Sequence, residues 1–317
     1  MFKKQIIFLM GPTASGKTQC AVELVQRYPC DIISVDSAMV YRGMDIGTAK
    51  PTPDILTIAP HRLIDIRDPS EPYSAAQFRE EAWREIDVIH AKGRIPLLVG
   101  GTMLYFKALQ QGLAEMPSAN PEQRAALLKE AETSGWPLLH ERLQAIDPVS
   151  ASRIHPNDAQ RIQRALEVYL LTGKNRTDFH EAQKSEKRDV HIHSFILAPT
   201  DRSLLHQKIE ERFLAMLKSG FIDEANALFS RSDLNPSMSS IRSVGYRQAW
   251  DYLSGEIDYP TMREKAIIAT RQFAKRQLTW LRHWPDGVWF ESESPSVADD
   301  VANALNSILK GENNGAC

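Results

Sequence analysis

The chain lacks any run of the roughly 20 apolar residues needed to cross a bilayer, which excludes a helical membrane span. Its early apolar run, Ile6 to Met10, is too short for the core of a secretory signal. It meets a glycine-rich motif at once, so it reads as a first β-strand. Cysteine is scarce. Cys20, Cys30 and Cys317 are odd in number and lack paired spacing, which excludes a disulfide framework and a cysteine-based zinc module; a reducing cytoplasm is the expected setting. Neither charge sign dominates, with 38 Lys and Arg against 40 Asp and Glu. Nucleic-acid binding would therefore need a local basic face rather than a basic total. Residues 241–284 offer one: Arg242, Arg247, Arg263, Lys265, Arg271, Lys275, Arg276 and Arg282 stand against only four acids. No repeat or low-complexity tract stands out. What is present is ordinary for a soluble globular protein, 43% hydrophobic and 25% charged residues over 317 positions, enough to bury a sizeable core.

Short runs rich in Ile, Leu and Val at Gln5–Met10, Asp31–Val35, Arg62–Ile66 and Ile95–Val99 read as buried parallel strands. Helical patterns lie between them, at Thr18–Tyr28 and at Ser74–Ala91 with Ser74 as cap. Alternation of this kind predicts an α/β fold, a central parallel sheet flanked by helices. From Pro117 to about Val190 the pattern is helical and nearly strandless, with PEQRAALLKEAE, WPLLHERLQAID and DAQRIQRALEVYLLTG as its segments. A strand signal returns at Ile192–Leu197, and helices follow to Trp284. The expected organisation is a P-loop-type core formed by 1–116 and 191–317, interrupted by an all-helical insertion at 117–190, with a frayed tail from Gly311.

Gly11, Pro12, Thr13, Ala14, Ser15, Gly16, Lys17 and Thr18 fit the eight-residue phosphate-loop pattern, after a strand and at the start of a helix. Such a loop turns backbone N–H groups around an anion, and the helix N-terminus adds a favourable dipole. Lys17 supplies a point charge for terminal phosphates, and the Thr18 hydroxyl can reach a magnesium ion. The motif argues for phosphate binding, not for nucleotide hydrolysis; a diphosphate fits the same cradle. Asp36 stands at the C-terminal mouth of the second strand, where ligands bind in open α/β sheets. It could hold magnesium through water, cap the following turn, or act as a general base.

Beyond the phosphate loop, the chain carries ISVDSAMVYRGMDIGTAKP at 33–51, HRLIDIRDPSEPYSAAQF at 61–78, LLVGGTMLYFKAL at 97–109 and DAQRIQRALEVYLLTGK at 158–174. RFLAMLKSGFIDEA follows at 212–225, IRSVGYRQAWDYL at 241–253 and TRQFAKRQLTWLRHW at 270–284. This ordered set resembles the bacterial tRNA dimethylallyltransferase (tRNA isopentenyltransferase) family over nearly the whole chain. The resemblance implies transfer of a dimethylallyl group from dimethylallyl diphosphate to the N6 amine of the adenine 3′ to the anticodon. It implies a diphosphate bound by the phosphate loop with magnesium, Asp36 as the base, and Arg212 with Thr13 assisting the leaving diphosphate. It further implies tRNA contacts at Asp36, Ser37, Ala38 and Met39, and at Thr102 and Arg124. Further contacts are implied at Gln160, Arg161, Ile162, Gln163 and Arg164, and at Arg242, Ser243, Val244, Gly245, Tyr246 and Arg247. The insertion would grip the anticodon stem-loop, and the protein would be a cytoplasmic monomer.

Rival readings are a small-molecule phosphotransferase using ATP, prenyl transfer to a free adenine nucleotide, and a non-catalytic RNA-binding protein. The first two leave the insertion unexplained, and the third leaves Thr13, Lys17, Thr18 and Asp36 without a role. Trp250, Tyr252, Trp280 and Trp284 invite base stacking, yet their helical spacing favours core packing. His191 and His193 belong on one face of a strand rather than in a metal site, because no further ligands lie nearby.

Overall fold

The computed structural model describes residues 4–182 and 188–313. The chain folds as two compact units, Met1–Gln110 with Arg188–Cys317, and Gln111–Lys187. In the larger unit β1 (Lys4–Met10) leads through the phosphate loop into α1 (Lys17–Arg27), and the chain returns on β2 (Cys30–Val35). Then come α2 (Pro53–Ile58), the two-residue β3 (His61–Arg62) and α3 (Ala75–Ala91). Ser74 and Gln77 close a reciprocal capping box at the start of α3, satisfying two orphan donors. β4 (Ile95–Gly100) and α4 (Met103–Gln111) complete the N-terminal half.

The smaller unit consists of α5 (Pro121–Ile146, broken at Gly135), α6 (Pro148–Ala151), α7 (Ala159–Thr172) and α8 (Arg176–Ala182). It has its own core, in which Leu127, Leu139, Leu143, Ile162 and Leu166 are each at most 1% exposed. Returning to the larger unit, the chain forms β5 (Val190–Ala198), α9 (Arg202–Lys218), α10 (Phe221–Phe229) and α11 (Tyr246–Leu253). It ends on α12 (Tyr259–Arg282), β6 (Gly287–Glu291) and α13 (Val297–Asn313).

The six strands lie in the order β3-β2-β4-β1-β5-β6, and every neighbouring pair is parallel. β1 sits between β4 and β5 and is buried on both faces. Ile6, Phe8 and Met10 enter one core cluster and Ile7 and Leu9 the other, as the period-2 alternation of a strand requires. Each such side chain contributes about 1.5–3 kcal/mol on burial.

Two expectations need correction, and one strand, β6, has no counterpart among the expected elements. The run Arg62–Ile66 is not a strand beyond Arg62, because Leu63 and Asp65 adopt positive φ (61° and 55°) and turn the backbone out of the ladder. β6 carries no strongly apolar run; as an edge strand with Val288 and Trp289 exposed, it gives no buried-strand signal. The helix α13 continues through Asn313, past the frayed start expected at Gly311; residues 314–317, including Cys317, lie outside the described residues. Cys20 and Cys30 are buried, and burial pushes both thiols up to about 12, so neither is a reactive thiolate.

Candidate active site

Every strand of a parallel sheet ends at one edge, and loops leaving that edge carry ligand contacts. Because β2, β4 and β1 are neighbours, Asp36, the Gly100–Thr102 turn and the phosphate loop emerge side by side. Neighbouring strands are about 4.8 Å apart, so Asp36 and the phosphate loop stand about 10 Å apart with the Gly101 turn between them.

Ala14 and Gly16 take left-handed φ values of 63° and 80° within the loop. Alternating handedness is what points successive N–H groups to one concave side, and at Ala14 it costs about 1 kcal/mol. Lys17 opens α1 and folds back over this loop, its Nζ donating to Pro12 O at 2.6 Å and to Ser15 Oγ at 3.3 Å. The residue's surface is only half-buried, but its amine is enclosed. Burial pushes the amine down to about 7, the Arg212 guanidinium adds to that, and the Asp36 carboxylate opposes it. Arg212 of α9 is likewise held below its ordinary value by burial, with Asp36 opposing. Two cations are thus gathered at one spot with a single carboxylate in range, an arrangement that a bound polyanion would complete.

Arg212 leans on the carbonyl of Thr48, 3.5 Å from its Nη2. That loop is itself anchored by Glu224 of α10, whose carboxylate accepts from the N–H groups of Asp45 (2.8 Å), Ile46 (2.7 Å) and Gly47 (3.0 Å) and from the Tyr246 hydroxyl. On the other side, Asp36 Oδ1 accepts from Ala38 N–H at 2.8 Å and Met39 N–H at 3.2 Å, so the carboxylate does cap its turn. Its second oxygen has no hydrogen-bond donor among the described residues, which leaves it open to a ligand. The Thr102 hydroxyl accepts from Ser37 N–H at 3.2 Å and ties the two loops.

The structure therefore brings together Gly11 to Thr18, Asp36 to Met39, Thr102 and Arg212. The 242–247 segment leads into α11, near Tyr41, whose hydroxyl meets Ser239 Oγ at 3.0 Å. Arg242 is exposed and Ser243 and Val244 are half-buried, whereas Tyr246 is 2% exposed and faces Glu224. Arg247 is engaged by Asp251 at 3.0 Å. Within the smaller unit Gln160 and Arg161 are exposed, but Ile162 is fully buried in the local core. Gln163 donates to Arg124 O at 3.0 Å. Arg124 and Arg164 both grip Glu167, which is 0% exposed and also accepts from Asn120 N–H. Burial pushes the Glu167 carboxyl up, and these three donors more than reverse it, leaving it below its ordinary value.

Two residues at the site lie inside the family-like segments 212–225 and 270–284, but the sequence does not single them out there as site residues. Gln277 of α12 accepts from Thr13 N–H in the phosphate loop and donates to the Gly101 carbonyl in the β4–α4 turn, and Glu224 anchors the loop behind Arg212. Single Gln and Glu residues on amphipathic helices give no spacing signal. Of the four aromatics, Trp284 is core, donating its indole N–H to Ser194 Oγ, and Trp250 packs on Phe229. Tyr252 meets Tyr259, but Trp280 is 40% exposed with Lys107 over its ring. His191 and His193 stack at 4.5 Å on one face of β5, and no group of three or more metal-type ligands occurs among the described residues.

Fold and site define a P-loop-type α/β protein with a helical insertion and two half-buried cations facing a carboxylate. The IPP transferase family model matches residues 39–284, and the chain belongs to that family. It is 60% identical over 296 residues to a tRNA dimethylallyltransferase of Thioalkalivibrio sulfidiphilus, covering 93% of this chain and 92% of the relative. It is 55% identical over 303 residues to one from Coxiella burnetii, covering 96% and 97%. Among solved structures, the full-length tRNA isopentenylpyrophosphate transferase of Bacillus halodurans superposes with a TM-score of 0.72 at 36% identity, covering 99% of both chains. A eukaryotic dimethylallyltransferase acting on tRNA gives 0.79 at 26% identity, covering 97% of this chain and 80% of that one.

Proposed function

We propose that this protein transfers the dimethylallyl group of dimethylallyl diphosphate to the exocyclic N6 amine of the adenine 3′ to the anticodon in tRNA, releasing diphosphate. The observation that carries this reading is the facing of Lys17 and Arg212, held short of counter-charge, with Asp36 across the Gly101 turn. An anionic leaving group belongs on the first side and a proton acceptor on the second. The names of the relatives supply the substrates.

In this reading the bond from the allylic carbon to the diphosphate oxygen breaks and the N6–carbon bond forms. The electron pair of the broken bond stays with diphosphate, where loop N–H groups, Lys17, Arg212 and the Thr13 hydroxyl stabilise it. Asp36 takes the N6 proton through the carboxylate oxygen that the turn leaves free. Magnesium fits the donor set, since Thr18 at the start of α1 offers a hydroxyl that would help hold it beside the diphosphate. When bound it would neutralise diphosphate charge. The target adenine must leave its stack to reach the site, at a cost of a few kcal/mol. Backbone contacts from Gln160, Arg161, Arg242 and the basic side chains of α12 would offset that cost and make affinity fall with salt.

The test is product analysis. Unmodified tRNA bearing the target adenine is incubated with protein, magnesium and dimethylallyl diphosphate, then digested to nucleosides and weighed. One dimethylallyl group at that position alone supports the reading. Product on AMP without tRNA would make this a free-nucleotide prenyltransferase, and turnover of ATP with a small acceptor would make it a phosphotransferase.

A further inference from the structure

The diphosphate side and the base side of the site are joined by one buried amide. Gln277 is 5% exposed on α12, with Arg276 and Thr279 beside it facing solvent. Its Oε1 accepts from Thr13 N–H at 2.9 Å, and its Nε2 donates to Gly101 O at 2.8 Å. Turning the amide over would set N–H against N–H and carbonyl against carbonyl, so only this orientation pairs both ends. Gly101 precedes Thr102, whose hydroxyl holds Ser37 N–H beside Asp36. A continuous path therefore runs from Thr13 through Gln277 and the Gly101–Thr102 turn to Asp36. The approach is close enough that a Cβ on Gly101 would stand 2.3 Å from Gln277 Nε2.

We propose that Gln277 is a positioning residue for the transfer reaction: it fixes the distance between the loop that holds the diphosphate and the loop that carries the base. The proposal rests on the transfer reading above. Thr13 N–H is held by Gln277, so the position of this loop residue is set from α12. Gly101 O is the neighbouring anchor on the acceptor side. A misplacement of about 1 Å between reacting groups costs about 10²-fold in rate, so an amide that spaces the two loops acts on turnover even though it touches neither substrate. A merely space-filling role would affect stability and leave the rate of the folded enzyme alone.

Two variants separate these roles under single-turnover conditions with saturating tRNA. Gln277→Met keeps the volume and loses both hydrogen bonds. Gln277→Glu keeps the acceptor for Thr13 N–H, but its carboxylate opposes the Gly101 carbonyl until it is protonated and can donate there. The readout is the rate relative to wild type across pH. Lys17, Asp36 and Arg212, the charged groups of the same site, are present in both proteins, so the ratio to wild type isolates the change at position 277. Gln277→Met should be about 10²-fold slow at every pH when assayed well below its melting transition, which falls because Thr13 N–H and Gly101 O lose their partner. Gln277→Glu should be comparably slow at high pH and recover at least about tenfold as pH falls and its buried carboxyl takes up a proton. Wild-type rates for Gln277→Met, or a flat ratio for Gln277→Glu, would overturn the positioning role. Wild-type product in the same run keeps the two claims apart, since its absence sinks the transfer reading itself.

Discussion

Lys17 and Arg212 in the larger unit, and Arg124 and Arg164 in the smaller, are all half-buried cations, yet they stand in opposite electrostatic states. The first pair has one carboxylate in range and is pushed below its ordinary proton affinity by burial. The second pair closes on Glu167, which is fully buried and takes bonds from both arginines at 2.7–3.2 Å. Cations left short of counter-charge mark a place prepared for an anionic ligand, at the expense of stability. Cations satisfied by a buried carboxylate hold a fold together. On this comparison Arg164 and Arg124 are scaffold for the insertion, whereas Arg161 is exposed and its ion pair, to Asp158 at 3.4 Å, is a local surface contact.

The largest effect that tests this contrast is at Lys17. Lys17→Met should lower turnover about 10³-fold, because a fixed charge on the leaving group is lost. The same change should stabilise the free protein by about 1 kcal/mol or more, a rise of about 2–4 °C in Tm. The sign follows from the depressed amine: between about 7 and 10.5 the unfolded chain binds the extra proton, so wild-type stability climbs with pH through that window and the variant loses the slope. Thermal melts of both proteins at pH 7 and pH 10 check it.

At Glu167 the opposite should hold. Glu167→Gln removes the charge that Arg124 and Arg164 share and should destabilise the insertion by about 3 kcal/mol, seen as faster proteolysis within 111–187. The Glu167 carboxyl is held below its ordinary 4.5, so its contribution is present above that value and is lost as pH falls through the lower, folded value. Acid melts followed by hydrogen exchange in α7 measure that loss.

A smaller effect is expected for donor binding. Inorganic diphosphate should draw a proton onto Lys17 as it binds, so its affinity should weaken about tenfold between pH 7 and pH 8.5, and calorimetry in buffers of different ionisation heat should register the uptake. The smallest is Arg161→Ala, which should leave stability unchanged, weaken tRNA binding a few-fold and reduce the slope of log K against log salt by about one.

How much of this was legible depends on where the constraint lies. The phosphate loop is a local backbone device, so its residues appear in order in the sequence, and β1, β2 and β4 announce themselves by being apolar on both faces. Asp36 could be placed at a strand end, but its separate duties as cap and open carboxylate belong to its two oxygens and not to its position in the chain. Gln277 is 264 residues from Thr13, and an isolated polar residue on the buried face of a helix reads as an imperfection in the pattern. The family resemblance named Arg124, Ile162, Arg164 and Tyr246 as one class with Arg161. Only burial divides them, because Ile162 and Tyr246 are core and the two arginines are bonded to a carboxylate that the helix pattern would have left outside.

The central claim is that Asp36 serves the acceptor while Lys17 and Arg212 serve the donor. Asp36→Asn isolates it, because an asparagine oxygen still accepts from Ala38 and Met39 N–H and keeps the turn, but it does not accept a proton. The measurement is the single-turnover rate of this variant with dimethylallyl diphosphate and tRNA both saturating. The predicted result is donor and tRNA binding within about threefold of wild type and a transfer rate at least about 10²-fold lower. Transfer at close to the wild-type rate would contradict the account and reduce Asp36 to the cap of its turn.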